Sequence, residues 1–191
     1  MTSICLIRHG ETDWNALGKL QGQTDVPLNK NGRLQAEACG QFLKNFHWDV
    51  LITSPLQRAL ETGTIINKKL DLPLLVMPQF AERFFGDAEG LTIAEREQLF
   101  PTKNYPNQED NASLNERLMA GLESITQDYK HKKVLLVTHG AVIHTLLRHF
   151  SNGEIGKKKI RLFNGGLNHI QFDQSEWKIK SYNQVSHLPQ L

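Results

Sequence analysis

The sequence predicts an α/β fold of three layers (α/β/α), in which helices cover both faces of a mostly parallel central sheet. Short apolar runs typical of buried strands occupy residues 4–7, 49–53, 72–76 and 134–137. Segments with helical periodicity separate these runs, around residues 34–46, 55–66 and 114–125. Strands that alternate with helices favour a parallel sheet. No linker or internal repeat divides the chain, so we expect a single domain over residues 1–191.

Local signals predict where the main elements begin and which faces are buried. The first long helix has an apolar residue at every fourth position, which predicts a buried face made of Leu34, Ala38, Phe42 and Phe46. Ser54 is expected to cap the next helix, with Pro55 at the first helical position. Residues 101–112 predict a surface loop, and Ser113 is expected to cap the long helix after it. Alternating runs predict a final antiparallel pair at residues 167–172 and 177–182.

Composition and charge exclude several classes of protein. Apolar residues make up 39% and charged residues 22% of the chain, as in ordinary globular proteins. The net charge of +2 is too small for a typical nucleic-acid binder, and we interpret the basic run Lys157–Lys159 as a solvated loop or edge. No apolar stretch approaches the roughly 20 residues of a membrane span, and no signal-peptide pattern is present. Cys5 and Cys39 are predicted to be buried thiols, so the expected location is cytoplasmic.

Two histidines occur in the same setting at widely separated points of the chain. His9 and His139 each come directly after a buried strand and directly before a glycine. Arg8 precedes the first histidine, and Arg58 lies in the first turn of a helix that follows another strand. Because ligands bind at the carboxyl ends of the strands in open α/β sheets, we expect these four side chains to converge.

Phosphate is the ligand that this combination of side chains favours. The guanidinium of arginine matches two phosphate oxygens, and helix N-termini at the same edge add N–H donors. A neutral imidazole can attack phosphorus, so a histidine can serve as the nucleophile. Fixed cations can supply the positioning and charge neutralisation that phosphoryl transfer needs. No metal and no cofactor is therefore expected.

The residues around His9 carry a resemblance to a known family. The segment Leu6–Asn15, with the sequence LIRHGETDWN, resembles the signature of the histidine phosphatase superfamily, also called the phosphoglycerate mutase-like family. The likeness continues in the family's order over nearly the whole chain, through Gln21-Gly22, Pro27-Leu28, Gly32, Ser54-Pro55, Arg58-Ala59, Thr62, Glu82, Gly86, Glu89-Gly90 and Thr138-His139-Gly140. A phosphoglycerate mutase-like fold is implied.

The resemblance also implies a role for each matching residue. His9 would be the phosphorylated nucleophile, while Arg8, Arg58 and His139 would hold the phosphate oxygens. Glu82 would protonate the leaving oxygen and then activate water; a surface ion pair is the alternative for this residue. The remaining implied phosphate- and substrate-binding positions are Asn15, which could also be a turn residue, and Gln21 and Gly22.

The resemblance leaves three functions open. The short middle region and the segment Glu82–Gly90 look like the phosphatase branch, whereas glycolytic mutases carry inserted segments there. We therefore expect hydrolysis of small phosphorylated substrates, with a mutase or an inactive phospho-ligand binding protein as alternatives. One departure is Asn111-Ala112-Ser113, where Gly-Glu-Ser is frequent, so the neighbouring substrate lid is the least transferable part of the likeness. A homodimer is compatible with the sequence.

The other aromatic and histidine residues receive simpler interpretations. Trp14 is expected in the core, with a wall of the pocket as the alternative, and Phe84 and Phe85 are expected to line an apolar wall near the site. His144 and His149 are assigned to a helix surface, because no cysteine or carboxylate joins them at metal-ligand spacing. For His187 two positions stay open, near the site or away from it.

Overall fold

The computed structural model describes residues 1–157 and 160–189 of the 191-residue chain. The solvated loop or edge predicted at the basic run Lys157–Lys159 involves residues that lie outside this part. Within it, the strands are β1 (Thr2–Arg8), β2 (Val50–Thr53), β3 (Leu74–Val76), β4 (Lys133–Thr138), β5 (Leu167–Asp173) and β6 (Glu176–Gln184). They form one sheet in the order β3-β2-β4-β1-β5-β6. The first four strands in that order are parallel, and β5 and β6 form the predicted antiparallel pair.

The helices follow the strands as the α/β prediction requires. They are α1 (Asp13–Ala16), α2 (Lys30–Leu43), α3 (Gln57–Asn67), α4 (Ile93–Leu99), α5 (Asn111–Asp128), α6 (Gly140–Phe150) and α7 (Glu154–Lys157). Short 3-10 turns lie at Pro78–Phe80 and Gly86–Ala88. Across the described ranges, no helix combines the length and the apolar character that crossing a membrane demands.

Successive residues of the parallel strands face two separate apolar cores, one on each side of the sheet. On one side Leu6 and Leu136 pack with apolar residues of α5 and α6. On the other side Ile7 and Val137 pack with residues of α2 and α3. Because both faces are buried, the strands are continuous apolar runs rather than alternating ones. The predicted three-layer α/β/α arrangement is confirmed.

The buried face of α2 differs from the predicted one. Leu34 and Phe46 are exposed, and the helix packs through Ala36, Cys39 and Leu43. A spacing of four residues advances about 40° around a helix at each step, so the four predicted residues drift away from a single face. Small residues also let α2 approach α3 closely, and a Cβ at Gly40 would lie 3.2 Å from the Cα of Ile66.

Two predicted helix caps are also wrong. The helix predicted at Ser54 begins at Gln57, with Leu56 as its N-cap; the Ser54 hydroxyl bonds His139 and accepts from the N–H of Leu56, which precedes the helix. The long helix α5 is capped by Asp110, whose side chain accepts from the backbone N–H of Ser113. Aspartate is one of the favoured N-cap residues. Because Asp110 caps the helix, Ser113 lies within its first turn.

The corrected face of α2 can be tested with a matched pair of leucine variants. Leu43 is 1% exposed and Leu34 is 47% exposed. We expect Leu43→Ala to lower the free energy of unfolding by about 2–5 kcal/mol, because it leaves a cavity. Leu34→Ala should change it by no more than about 0.5 kcal/mol. Urea denaturation of both variants measures the difference, and equal losses would contradict the observed orientation of α2.

Candidate active site

Three neighbouring parallel strands end together at one edge of the sheet and present polar residues there. His9 follows β1, Ser54 follows β2 and His139 follows β4, which lies between the other two strands. The imidazole rings of His9 and His139 are 5.1 Å apart between centroids, and both are buried. The two strand–histidine–glycine segments therefore meet, as the sequence predicts.

Hydrogen bonds fix the orientation and the tautomer of His9. Its Nδ1 lies 2.7 Å from the carbonyl oxygen of Gly10, which can only accept, so Nδ1 carries the proton. The other ring nitrogen, Nε2, then holds the lone pair and accepts from Nε of Arg58 at 3.3 Å. Burial, followed by the charges of Arg58 and Arg8, holds the pKa of His9 well below its usual value. This imidazole is neutral and has an available lone pair.

The loop around His9 is held by close backbone packing. A Cβ at Gly10 would lie 2.3 Å from the carbonyl oxygen of Gly32 at the start of α2. The N–H of Gly10 donates to the hydroxyl of Thr62 on α3 at 3.0 Å, and that hydroxyl donates to the carbonyl oxygen of Arg58. Only glycine fits at position 10, so His9 is positioned against α2 and α3 at once.

Arg58 is fully buried in the second helical position of α3. Its Nη2 donates to the carbonyl oxygen of Gly22 at 2.6 Å, and its Nη1 donates to that of Thr24 at 2.9 Å. Burial lowers the pKa of this guanidinium, whereas the charge of Glu82 raises it. The side chain is therefore anchored by backbone carbonyls while its Nε faces His9.

Arg8 approaches the site from the end of β1. One of its terminal nitrogens donates to the carbonyl oxygen of Leu162, and its buried Nε has no hydrogen-bond partner among the described residues. Burial lowers its pKa to about 10, against the opposing effect of Glu82. A guanidinium with a buried, unpartnered N–H is a ready donor for an anion.

His139 shares its edge of the site with Ser54. Its Nε2 is 2.7 Å from the Ser54 hydroxyl, and its buried Nδ1 has no partner in the described part of the chain. Burial and then the charge of Arg58 hold the pKa of His139 well below its usual value. His139 also precedes α6, whose first backbone N–H groups point toward the same region.

Glu82 is the carboxylate at the centre of this set. It accepts hydrogen bonds from the backbone N–H groups of Arg83 and Ala141 at 2.9 and 3.1 Å, so it sits at the N-terminus of α6. Burial raises its pKa, although those N–H groups and both arginines of the site act in the opposite direction. Glu82 is buried rather than exposed, and the ion pairs of the described residues do not include it, which removes the surface ion pair as an interpretation.

The three remaining predicted residues lie on the loop that follows His9. Gln21 is buried and accepts from the hydroxyl of Thr12 at 2.8 Å. Gly22 has a φ of +53°, and a Cβ there would lie 1.8 Å from Oε1 of Glu89, so this position requires glycine. Asn15 accepts from the same Thr12 through Oδ1, and its Nδ2 makes no hydrogen bond to the described residues.

Several residues that support the site were missed in the sequence. The side chain of Asn164 donates to the carbonyl oxygen of His9 at 2.9 Å and to Oδ1 of Asn15 at 3.2 Å. Arg117 on α5 donates to the carbonyl oxygens of Gln79 and Ala81, which holds the segment before Glu82. These contacts join residues far apart in the chain and follow no local pattern, so a single sequence carries no signal for them.

The structure also places three aromatic residues of the sequence, Trp14, Tyr105 and His187. Trp14 is half-buried outside both cores, so its assignment to the core is wrong. Tyr105 is buried between Phe85 and Phe100. The ring of His187 stacks on Phe42, against α2 and away from the site. Among residues 1–157 and 160–189, no three His, Cys, Asp or Glu side chains are grouped as metal ligands.

Comparison with known proteins identifies the family. Residues 4–185 match the histidine phosphatase superfamily, branch 1. The uncharacterized phosphatase PhoE of Bacillus subtilis is 50% identical over 188 residues, which cover 98% of this chain and 97% of that protein. A metal-independent phosphoserine phosphatase of Arabidopsis thaliana is 33% identical over 202 residues, covering 98% and 84%. The solved structure of YhfR from Bacillus stearothermophilus has a TM-score of 0.91 at 28% identity, covering 99% of this chain and 100% of that chain. The chain therefore belongs to the histidine phosphatase superfamily.

Proposed function

We propose that this chain is a phosphomonoester hydrolase that acts on small phosphorylated metabolites through a phosphohistidine on Nε2 of His9. The observation that carries the proposal is the buried, neutral imidazole of His9, with Nδ1–H bonded to Gly10 and the Nε2 lone pair beside Arg58. The family and the two relatives named as phosphatases support the same reaction. We further propose that residues 1–191 act as one catalytic domain.

Phosphate binding depends on the donors that surround Nε2 of His9. The three non-bridging oxygens of the phosphate are bound by Arg8, Arg58 and His139. Two polar atoms of this set are buried and have no partner among the described residues, Nε of Arg8 and Nδ1 of His139. Additional contacts come from three residues of the neighbouring loop: Asn15, Gln21 and Gly22. Because these donors are fixed by the fold, they stabilise charge on the phosphoryl group with little reorganisation.

The reaction has two half-reactions, and Glu82 gives up a proton in the first and takes one up in the second. The lone pair of Nε2 attacks phosphorus, the bond to the leaving oxygen breaks, and that oxygen takes the proton of Glu82. The resulting Glu82 carboxylate then removes a proton from water as the water attacks the phosphohistidine. Phosphate leaves, and both His9 and Glu82 return to their starting protonation states.

No metal or cofactor is required in this proposal, because the arginine side chains supply the positive charge. The relative from Arabidopsis thaliana named as a metal-independent phosphatase supports this point.

Cys5 and Cys39 are both free and buried thiols. We propose a cytoplasmic location on that basis, since reduced thiols persist in reducing compartments.

A mutase that returns the phosphoryl group to a second hydroxyl of the substrate is the main alternative. A probable phosphoglycerate mutase, GpmB of Proteus mirabilis, is 29% identical to this chain, which is below the identity to the phosphatase relatives. The two reactions differ only in the acceptor, water or substrate.

A coupled assay with 3-phosphoglycerate and a bisphosphoglycerate primer separates the two reactions. We expect release of inorganic phosphate to exceed isomerisation at every time point, because nothing in the proposed mechanism retains the dephosphorylated product. Isomerisation faster than phosphate release would establish the mutase instead.

The role of His9 is tested by His9→Ala, with His47→Ala as the matched control. We expect wild-type hydrolysis of p-nitrophenyl phosphate to be insensitive to EDTA, and His9→Ala to lower kcat by at least about 1000-fold, since it removes the nucleophile. The imidazole of His47 is 76% exposed, and its variant should keep wild-type activity. Mass spectrometry after an alkaline quench should detect one acid-labile phosphoryl group on the wild type and on His47→Ala, and none on His9→Ala. Tight binding of phosphate without turnover of any phosphomonoester would indicate a binding protein.

The protonation states of the site predict a pH dependence. The lowered pKa of His9 keeps it neutral, and nucleophilic, in mildly acidic solution, whereas the raised pKa of Glu82 keeps it protonated there. Activity should therefore fall as the pH rises through the pKa of Glu82. For glycerol 3-phosphate we expect Glu82→Gln to lower kcat by about 100-fold or more and to flatten the alkaline side of the profile.

Two comparisons make this pH test specific. The substrate phosphate, which has a second pKa of about 6, titrates in the same way with wild type and variant. The difference between their two pH profiles therefore reports Glu82 alone. The loss should be smaller for p-nitrophenyl phosphate, because p-nitrophenolate leaves without protonation. An alkaline limb that persists unchanged in Glu82→Gln would exclude Glu82 as the acid.

A further inference from the structure

A large groove opens beside the proposed phosphate site and runs along one face of α6. Its volume is about 900 Å³, and it begins at Arg8 and Gly140, which also belong to the site described above. From there it follows His144 and Arg148 along the helix. These positions are four residues apart, so they face the same side of α6. The groove is therefore continuous with the place where a leaving group would emerge.

The groove carries a concentration of positive charge. Four arginines line it, Arg8, Arg83, Arg148 and Arg161, and the described lining residues include no aspartate or glutamate. Burial is the main cause of the lowered pKa of Arg8 and of His144, and the charge of Arg161 lowers the first further and that of Arg148 the second. With a net charge of only +2 for the whole chain, this is a local excess of cations. Such a groove attracts an anion.

Beyond Arg8, the arginines of the groove differ: Arg83 is held by hydrogen bonds, whereas Arg148 and Arg161 are exposed. The guanidinium of Arg161 lies 5.0 Å from the ring centroid of Phe163, and that of Arg83 lies 5.7 Å from Phe85. Nε and Nη2 of Arg83 also donate to the carbonyl oxygen of Glu109. The stem of Arg148 passes close to Gly156, where a Cβ would lie 2.9 Å from its Cδ. The guanidinium of Arg83 therefore loses little freedom when it binds a ligand, while those of Arg148 and Arg161 are accessible to one.

The length of α6 limits the size of the ligand. Gly140 and Arg148 are separated by eight residues, which corresponds to about 12 Å along a helix. An ester with an extended alcohol portion of about six carbons can follow α6 from Arg8 toward Arg148, because helical side chains lean back toward the N-terminus of their helix.

We propose that this groove is a subsite for a second anionic group, a carboxylate or a phosphate, at the far end of an extended substrate. The inference rests on the proposed phosphatase function and names its substrate class: phosphomonoesters of about six-carbon length or more whose alcohol portion is itself negatively charged. Arg148 and Arg161 are the specificity-determining residues, and Arg8 joins the subsite to the transferred phosphate.

Two matched substrate pairs test the proposal and separate the two anions. Fructose 1,6-bisphosphate is compared with fructose 6-phosphate for a second phosphate, and 6-phosphogluconate with glucose 6-phosphate for a carboxylate. We expect kcat/KM to be at least about tenfold higher for the charged member of one or both pairs, as one charge-assisted hydrogen bond provides. Equal values within both pairs would overturn the proposal.

The double variant R148Q/R161Q shows whether these arginines cause the preference. We expect the ratio of kcat/KM within the preferred pair to fall at least about tenfold. Arg33→Gln is the control, because it removes an exposed arginine that pairs with Glu61 on the far side of the sheet, and it should keep the wild-type ratio. A ratio that survives in R148Q/R161Q, or falls equally in Arg33→Gln, contradicts the subsite.

Failure of the subsite and failure of the proposed function give different results. If p-nitrophenyl phosphate is hydrolysed but neither pair is discriminated, the hydrolase stands and the subsite does not. If no phosphomonoester is hydrolysed, the function fails, and calorimetric binding of the same pairs decides the subsite alone. Tighter binding of the charged members would then support it, and equal binding would overturn it.

Discussion

The burial of Arg8 and Arg58 at the carboxyl edge of the sheet is the constraint on which the surrounding structure depends. Transferring a charged group from water to a protein interior costs on the order of several kcal/mol, unless hydrogen bonds or opposite charges compensate. Glu82 acts on both guanidinium groups, and the carboxylates of Asp25 and Glu89 also act on Arg58. Backbone carbonyl oxygens of Gly22, Thr24 and Leu162 accept the remaining hydrogen bonds.

This requirement for carbonyl oxygens explains how loops from distant parts of the chain are tied to the site. The carboxylate of Glu89 accepts from the backbone N–H groups of Gln23 and Thr24, and so holds the loop that binds Arg58. On the other side, the N–H of Gly165 donates to the carbonyl oxygen of Arg8 at 2.9 Å, and Asn164 donates to that of His9. The catalytic geometry is therefore maintained by contacts outside the signature segment.

One physical cause also sets the protonation of the three titratable groups. Burial disfavours charge, so it lowers the pKa of His9 and His139 and raises that of Glu82. A neutral nucleophile and a protonated acid are what the proposed first step needs. The guanidinium groups of Arg8 and Arg58 favour binding of an anion, and further arginines continue along α6 into the groove beyond the site.

The sequence by itself determined the α/β fold, the family and the residues that converge around His9. These follow from local patterns, because a buried strand is a continuous apolar run and a signature segment is contiguous in the chain. The four-residue spacing of apolar residues predicts the wrong buried face for α2, because contact with the sheet and with α3 decides which residues are covered. The cap predicted at Ser54 is wrong for a similar reason, because its hydroxyl bonds a histidine 85 residues away and the helix begins only after Leu56.

Tertiary structure alone decided the tautomer of His9, the supporting roles of Asn164 and Arg117, and the charge of the groove. Each depends on groups that are far apart in the chain, such as Arg83, Arg148 and Arg161, which no local pattern connects. Hydrogen bonds and electrostatic fields are set by distances in space, and packing fixes those distances only after the strands and helices have assembled.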